Sequence, residues 1–253
     1  MANLTDIVTF AEQTLANPNI RDYPGAVNGL QIENSGTIHR VVAAVDASLA
    51  TIEEAAKVPG TLLIVHHGMF WQGVQTIRGA FRRKIQAALD ADLALYSSHL
   101  PLDLHPEIGN NILLGRALEL RDIEPLPVDP KAGIPMGLCG GWHGTLADFL
   151  AQASRAVGAP IHHCPGGPSE VTRVAVITGG AGSEVQAVAA SGVDTFITGE
   201  GPHWSYTLAE ELGINLIYAG HYATETFGVN ALSIRIGEQF SIPTSFIDHP
   251  TGL

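Results

Sequence analysis

The segment RVVAAVDASLATIEEAAKVPGTLLIVHHG, residues 40–68, decides the fold class of this chain. Its two ends, residues 40–45 and 62–65, are short apolar runs rich in β-branched side chains, and residues 49–57 between them are spaced like a helix. A helix that joins two such strands is typical of a parallel βαβ unit. We therefore expect an α/β fold.

The same order of elements returns in the second half of the chain. Residues 173–177 predict a strand, residues 184–190 a helix, and residues 195–198 a second strand. A glycine-rich turn at residues 179–182 follows the first of these strands. The second half therefore predicts another βαβ unit.

Two pairs of matching residues set the register of this repeat. Arg40 and Arg173 open the two copies, Trp71 and Trp204 close them, and 133 positions separate the members of each pair. No gap is needed between these markers. We therefore expect two similar three-layer α/β lobes that arose by an internal duplication.

The first expected lobe is residues 1–125, with a double histidine, and the second is residues 126–253, with the word GHYATE. Helical spacing predicts a helix over 4–15 in the first lobe and a helix over 146–156, capped by Thr145, in the second. Pro- and Gly-rich links occur between residue 126 and that helix. An alternative left open is that the C-terminal residues pack back on the first lobe.

Composition excludes several classes of protein. Of the 253 residues, 45% are hydrophobic and 15% charged, which is typical of a globular chain and not of a disordered one. A formal net charge of -12 argues against nonspecific nucleic-acid binding, which needs a clustered positive surface. The apolar runs are far shorter than the roughly 20 residues that cross a membrane. With two cysteines and no secretory pattern at the start, we expect a reduced, cytoplasmic protein.

Polar residues with metal-ligating side chains follow three predicted strands. His66 and His67 end one strand, and since neighbouring strand residues point to opposite faces, we expect the strand to stop before them, with Gly68 permitting a bend. Two later strands end in related words of the form Tyr-x-x-His-x-x-x-acid, YSSHLPLD at 96–103 and YAGHYATE at 218–225. Ligand sites gather at the carboxyl ends of parallel strands, so these segments are expected to converge.

The two His-x-x-x-acid words predict different local shapes. Pro101 lies between His99 and Asp103, so this word is interpreted as a shaped loop. His221 and Glu225 have helical spacing, and a helix that begins near Thr224 brings them together, while Gly220 leaves room for an ion.

The number of donors indicates more than one ion. Three histidines and two carboxylates exceed the three or four protein ligands usual for one catalytic ion, and mixed nitrogen and oxygen donors suit Zn, Fe(II), Mn or Co. A carboxylate such as Glu225 can bridge two ions and activate water between them. The sequence therefore predicts two divalent metal ions and hydrolytic chemistry on a small molecule.

Other polar clusters carry weaker signals. The run His162-His163-Cys164 has no carboxylate word beside it and is interpreted as surface or structural. The glycines at 179–182 can cradle phosphate, but the Lys-Ser/Thr of a P-loop is missing. Glu200 and His203 are interpreted either as a layer around the ions that transfers protons or as a turn that starts the next element.

Six words in a fixed order carry a family resemblance, and they are NGLQ (28–31), VDAS (45–48), HHG (66–68), HLPLD (99–103), ITGE (197–200) and GHYATE (220–225). With them the chain resembles the family of dinuclear metal-centre proteins often called type 2 GTP cyclohydrolase I, or Nif-three-like. The resemblance runs from about residue 3 to the C-terminus. The short central region is similar to the compact bacterial type.

The resemblance implies that five side chains are the metal ligands, namely His66, His67, Asp103, His221 and Glu225. It also implies a ring-shaped homohexamer with its metal sites facing an internal cavity. The implied reaction is the opening of the guanine ring of GTP by metal-activated water, with release of formate. His99, Glu200 and His203 are the candidates for proton transfer in that reaction.

Two other functions stay open at this point. One is a dinuclear hydrolase that acts on another small molecule, a phosphoester or an amide. The other is a metal-binding ring without catalytic activity that binds a protein partner.

Overall fold

The structure of the chain is a computed structural model that describes residues 1–16, 20–126 and 136–253. The described strands are β1 (Ala2–Asn3), β2 (Gly29–Ile32), β3 (Thr37–Ile38), β4 (Arg40–Asp46), β5 (Thr61–His67), β6 (Ala94–Ser97), β7 (Arg121–Pro125), β8 (Leu138–Thr145), β9 (His162–Cys164), β10 (Glu170–Val176), β11 (Thr195–Thr198), β12 (Asn215–Tyr218) and β13 (Thr244–Phe246). The described helices are α1 (Leu4–Leu15), α2 (Leu49–Ala55), α3 (Gly79–Asp90), α4 (Leu100–Asp103), α5 (Asn110–Ala117), α6 (Leu146–Val157), α7 (Val185–Ala190), α8 (Trp204–Leu212), α9 (His221–Thr224) and α10 (Thr226–Phe240). The predicted α/β class is confirmed.

The chain divides into two compact units, each built from more than one segment. Unit 1 consists of Met1–Leu102 and Gly228–His249, and unit 2 of Asp103–Phe227 and Pro250–Leu253. The predicted link after residue 125 includes residues 127–135, which lie outside the described residues.

Unit 1 is built on a five-stranded sheet of order β13-β4-β5-β6-β2. Its first four strands are parallel and β2 is antiparallel. Alternate residues of the central strands, such as Val42 and Val65, pack against Ile52 of α2 and Ala88 of α3. The residues between them, such as Ile64, point to the other face of the sheet and are also buried, as expected for a parallel sheet covered on both faces.

Unit 2 is built on a six-stranded sheet of order β7-β8-β10-β11-β12-β9. Strands β10, β11 and β12 are parallel, and the flanking strands are antiparallel. Val174 and Ile197 pack on one face with Phe149 of α6, whereas Phe196 packs on the other face with Val188 of α7. The sheet therefore lies between two layers of helices.

The two sheets share a common core of four strands. In each, three parallel strands are followed at the edge by one antiparallel strand, as β4-β5-β6-β2 in unit 1 and β10-β11-β12-β9 in unit 2. The predicted parallel pairs are confirmed, because Arg40 lies opposite Thr61 and Val174 opposite Thr195. The other edge differs, since β13 is parallel to β4 whereas β8 is antiparallel to β10.

Capping side chains fix the helices where the sequence predicts them. Asn3 Oδ1 accepts from the backbone N–H of Thr5 and Asp6 at the start of α1, and Thr145 Oγ1 accepts from that of Asp148 in α6. The helix predicted from residue 184 begins one residue later, after a 3-10 turn at Gly182–Glu184. Among the described residues, no helix has both the length and the apolar character needed to cross a bilayer.

Candidate metal centre

The double histidine ends β5 in unit 1. Contrary to the prediction, the strand runs through both residues, and yet their ring centroids lie 4.8 Å apart. The alternation of a strand fixes the direction of Cβ and not the position of a ring several bonds away, so both imidazoles reach past the carboxyl end of β5. Gly68 serves close packing here, because a Cβ would lie 2.2 Å from Nε2 of Gln31.

Different acceptors hold the two rings. His66 Nδ1 lies 2.9 Å from the carbonyl oxygen of Ser98, and His67 Nδ1 lies 2.9 Å from Oδ1 of Asp46. Carbonyl and carboxylate oxygens only accept, so Nδ1 donates in both cases and the lone pair of the neutral ring is on Nε2. This is the arrangement of metal-binding histidines, in which an outer acceptor fixes the tautomer and the orientation of the ring.

His99 joins this pair. One ring nitrogen from each of His66, His67 and His99 lies within 4.8 Å of the others, as in sites that can hold a metal ion. His99 Nδ1 lies 2.8 Å from Oδ1 of Asp22, a carboxylate to which the sequence analysis gave no role. The indole of Trp71 lies edgewise beside two of the rings, with centroids 5.7 Å from His67 and 4.8 Å from His99.

The segment from His99 to Asp103 contains one helical turn, α4, so its interpretation as a loop is wrong. Pro101 is compatible with the turn because the first residues of a helix need no partner for their N–H groups. Asp103 ends the turn and is the first residue of unit 2. Its carboxylate is buried, and Oδ1 accepts from Asn110 Nδ2 at 2.7 Å and from Thr178 Oγ1 at 3.3 Å.

The second His-x-x-x-acid word brings its two ends together in unit 2. Helix α9 begins at His221 and not near Thr224, and His221 Nε2 lies 3.1 Å from Oε1 of Glu225. Glu200 Oε1 lies 2.8 Å from the other nitrogen, Nδ1. His221 is thus held between two carboxylates, and the predicted closeness of His221 and Glu225 is confirmed.

The charge of His221 follows from these contacts. Burial alone would lower its pKa, but hydrogen bonds and charges from Glu225 and then Glu200 outweigh burial and raise the pKa to about 9. In the metal-free chain a proton therefore lies between His221 Nε2 and Glu225 Oε1. A divalent cation bound to this nitrogen and this oxygen would replace that proton.

The glycine-rich turn at residues 179–182 packs against this site. Gly179 has a φ of +71°, and a Cβ there would lie 2.3 Å from Oε1 of Glu225. Its N–H donates to Thr224 Oγ1, and its carbonyl accepts from Gly199 N and Glu200 N. The turn therefore makes room for the carboxylate of Glu225, and its weak signal as a phosphate cradle stays a prediction.

Two sets of donors thus occur in the described residues. Unit 1 offers imidazole nitrogens, and unit 2 offers the buried carboxylates of Asp103 and Glu225 beside the imidazole of His221. Nitrogen and carboxylate donors together suit divalent transition ions. The residues present therefore fit the ions that the sequence analysis expects.

The remaining polar candidates have other positions. His203 is exposed immediately before α8, and its proton-transfer role stays a prediction. His162, His163 and Cys164 form strand β9, and His163 Nε2 lies 3.4 Å from Oδ1 of Asn215. Their predicted structural role agrees with this pairing.

Sequence reasoning missed the acceptors that orient the rings. Asp46 lies in the word VDAS, and it is the sheet partner of His67 on the adjacent strand. Asp22 precedes the word NGLQ and contacts His99 from 77 positions away in sequence. Asp46 lies within a recognisable word and Asp22 shortly before one, which is the signal that the sequence offers.

Comparison with known proteins identifies the family. The family model described as Duf34/NIF3 (NGG1p interacting factor 3) matches residues 2–251. The chain is similar to a protein named GTP cyclohydrolase 1 type 2 homolog from Deinococcus radiodurans, 41% identical over 91% of this chain and 88% of the relative. A protein of the same name from Pyrococcus abyssi is 40% identical over 98% of both chains. The chain therefore belongs to the DUF34/NIF3 family, which confirms the resemblance seen in the sequence.

A solved structure agrees with this membership. A protein called ybgI, described as of unknown function, superimposes with a TM-score of 0.91 at 35% identity, and the match covers 100% of both chains. The chain thus shares its fold with this protein over the whole length of both chains.

Proposed function

We propose that this chain is a dinuclear metal-dependent hydrolase that opens the guanine ring of GTP and releases formate. The observation that carries the metal-binding part is the common arrangement of His66, His67 and His221, each with an acceptor on Nδ1. The names of the relatives from Deinococcus radiodurans and Pyrococcus abyssi support the substrate.

Five side chains are proposed to hold two divalent ions per chain, namely His66, His67, Asp103, His221 and Glu225. The histidines contribute Nε2, because their Nδ1 atoms donate to Ser98, Asp46 and Glu200. The identity of the ion is proposed to be Zn, Fe, Mn or Co, which accept this donor set. Bound ions of this kind supply Lewis-acid chemistry and lower the pKa of water toward neutrality.

The chain's own residues are proposed to position donors and to hold protons. Glu200 keeps the proton on Nδ1 of His221, so that Nε2 faces Glu225. Glu200 is also 43% exposed at its side chain, which lets it exchange a proton with solvent. We therefore assign proton transfer to Glu200, with His203 as the second candidate on the same loop.

The metal content and the formate assay test this proposal together. Protein purified without chelator is expected to contain about two ions per chain by elemental analysis and to release formate from GTP. The variant Glu225→Ala is expected to lose both metal and formate release. Glu211→Ala, which removes an exposed carboxylate on α8, is the matched control and is expected to match wild type.

The outcomes separate the alternatives. Metal without formate release, combined with turnover of a phosphoester or an amide, would replace GTP as the substrate. Metal without turnover of any of these compounds would favour a metal-binding ring that binds a protein partner. A chain without metal after reconstitution would contradict the proposed centre.

We also propose that the chain assembles as a homohexamer. Large hydrophobic side chains are exposed in unit 1, among them Val74, Ile77 and Leu89 (63% exposed for Ile77), as expected for a surface covered by another copy. Light scattering coupled to gel filtration should give six times the mass of 26.7 kDa, and a monomer would contradict this assembly.

A further inference from the structure

The buried carboxylate of Asp22 forms hydrogen bonds at the start of α4. Asp22 Oδ1 accepts from His99 Nδ1 at 2.8 Å, and Oδ2 accepts from the backbone N–H of Leu100 at 2.9 Å. Asn28 Nδ2 also donates to Oδ2 at 2.8 Å, while Asn28 Oδ1 accepts from the backbone N–H of His99 at 2.8 Å. Both the ring and the backbone of His99 are therefore fixed by one loop.

Asp22 accepts hydrogen bonds at both of its carboxylate oxygens in this position. Because an ionised carboxylate only accepts, His99 Nδ1 donates and the lone pair of the neutral ring is on Nε2. This repeats the arrangement of His67 with Asp46.

The ring of His99 lies close to both rings of the double histidine. The centroid of His99 lies 4.9 Å from that of His66 and 5.6 Å from that of His67, and one nitrogen of each ring lies within 4.8 Å of the others. Two nitrogens bound to one ion at about 2.1 Å are at most about 4.2 Å apart. The three nitrogens are therefore grouped on the scale of a single metal site.

We propose that His99 is a third imidazole ligand of an ion held by unit 1, and that Asp22 is the positioning residue that keeps its ring in place. The inference rests on the metal-binding part of the proposed function and not on its substrate. It also changes the expectation for His99, since a nitrogen bound to a metal ion has no lone pair left to carry a proton.

A double-mutant cycle on Co(II) binding tests both halves of the inference. The four proteins are wild type, Asp22→Asn, His99→Asn and the double variant, and the readouts are Co(II) affinity and the visible absorption of bound Co(II). His99→Asn retains an N–H group near the position of Nδ1 and removes Nε2, so it preserves local structure while deleting the donor. Circular dichroism checks that each variant is folded.

The expected results are specific. Asp22→Asn should weaken Co(II) binding about 10- to 100-fold, as for outer partners of ligand histidines. His99→Asn should weaken it at least as much and change the absorption spectrum. Added to His99→Asn, Asp22→Asn should cost no further affinity, because Asp22 acts through the ring that is already gone.

A matched control separates ring positioning from loop support. Asp92 holds a different loop of unit 1 by accepting from the backbone N–H and the hydroxyl of Ser35 at 2.7 and 2.6 Å. Asp92→Asn is expected to bind Co(II) with wild-type affinity.

Other results would overturn the inference. Equal losses from Asp22→Asn with and without His99 would mean that Asp22 merely supports the loop. Wild-type affinity and spectrum in His99→Asn, with reduced formate release, would make His99 a proton carrier beside the ion. Wild type that binds no Co(II) would overturn this inference and the proposed centre, whereas the expected cycle without GTP turnover would remove only the substrate.

Discussion

His67 in unit 1 and His221 in unit 2 each have a carboxylate on Nδ1, but the rest of each ring contacts different side chains. A carboxylate lies on Nδ1 of each, Asp46 at 2.9 Å and Glu200 at 2.8 Å. Beyond the ring, His67 meets the imidazoles of His66 and His99, whereas His221 meets Glu225. One unit therefore offers imidazole nitrogens, and the other offers a carboxylate oxygen beside an imidazole.

The predicted sequence repeat relates two of these residues. Glu200 lies 133 positions after His67; His67 is the last residue of β5, and Glu200 follows the end of β11 by two residues. At this position unit 1 has His67, a candidate metal donor, and unit 2 has Glu200, which orients the candidate donor His221. Polar residues at matching positions of the two units thus have different roles.

The largest effect is expected from a substitution that disturbs the metal donors of unit 2 and not those of unit 1. Gly179→Ala puts a Cβ 2.3 Å from Glu225 Oε1 at a φ of +71°, so Glu225 must move. We expect bound metal to fall more than about 10-fold, and unfolding free energy to fall by about 1–2 kcal/mol from the backbone strain. Elemental analysis and urea unfolding measure the two effects.

Gly192→Ala is the control for this substitution. Its φ is +79° and a Cβ would meet nothing within 4 Å, so it carries similar strain without the collision. Equal loss of metal in both variants would contradict the explanation through Glu225.

A smaller effect is expected in unit 1. Gly68→Ala puts a Cβ 2.2 Å from Nε2 of Gln31, whose amide accepts from Met69 N at 2.8 Å and donates to Val27 O at 2.9 Å. Gln31 is a flexible side chain, so the cost is mainly these hydrogen bonds, about 1–2 kcal/mol. We expect Co(II) affinity to fall about 10-fold or less, measured by titration.

Removal of the obstructing side chain tests the cause. The double variant Gly68→Ala/Gln31→Ala should lose no more affinity than Gln31→Ala alone. If Gly68→Ala still lowers Co(II) affinity by the same factor when Gln31 is already alanine, the collision with Gln31 does not cause the loss of affinity.

Trp71 provides a spectroscopic probe of unit 1. Its indole lies 4.8 Å from His99 and 5.7 Å from His67 between ring centroids, so bound Co(II) should quench its fluorescence. We expect Trp71→Phe to abolish most of the quenching seen in the wild type. Trp142→Phe, which alters an indole packed 5.1 Å from Phe149 in the core of unit 2, should leave the quenching in place.

The smallest effect concerns Cys164 of unit 2. Both cysteines of the chain lie in unit 2, so a thiol reagent can label this unit and not unit 1. Burial, with a contribution from the charge of Glu210, raises the pKa of Cys164 to about 11. At pH 8 only about one thiol in a thousand is then ionised. Iodoacetamide should label Cys164 slowly below pH 9 and faster as the pH approaches 11, as followed by mass spectrometry.

Unfolded chain is the reference for that measurement. In urea the thiol regains its ordinary pKa, so labelling at pH 8 should become fast. Rapid labelling at pH 8 in the folded protein would contradict the burial of this residue.

Much of the site could be read from local patterns. His221 and Glu225 are close because four positions return to the same side of one helical turn, and the spacing alone gave that contact. The same local reasoning failed at Pro101, because a proline is accepted in the first turn of a helix, and at the double histidine, because ring positions are not fixed by strand alternation.

The sequence by itself determined the α/β class, the parallel pairs, the capped helices and the family, since these depend on periodicity, capping and words of a few adjacent residues. Only the tertiary structure decided which carboxylate orients which ring. Asp46 meets His67 because β4 and β5 pair in one register, and Asp22 meets His99 across 77 positions of chain. Such contacts depend on strand register and loop closure, which no local spacing encodes.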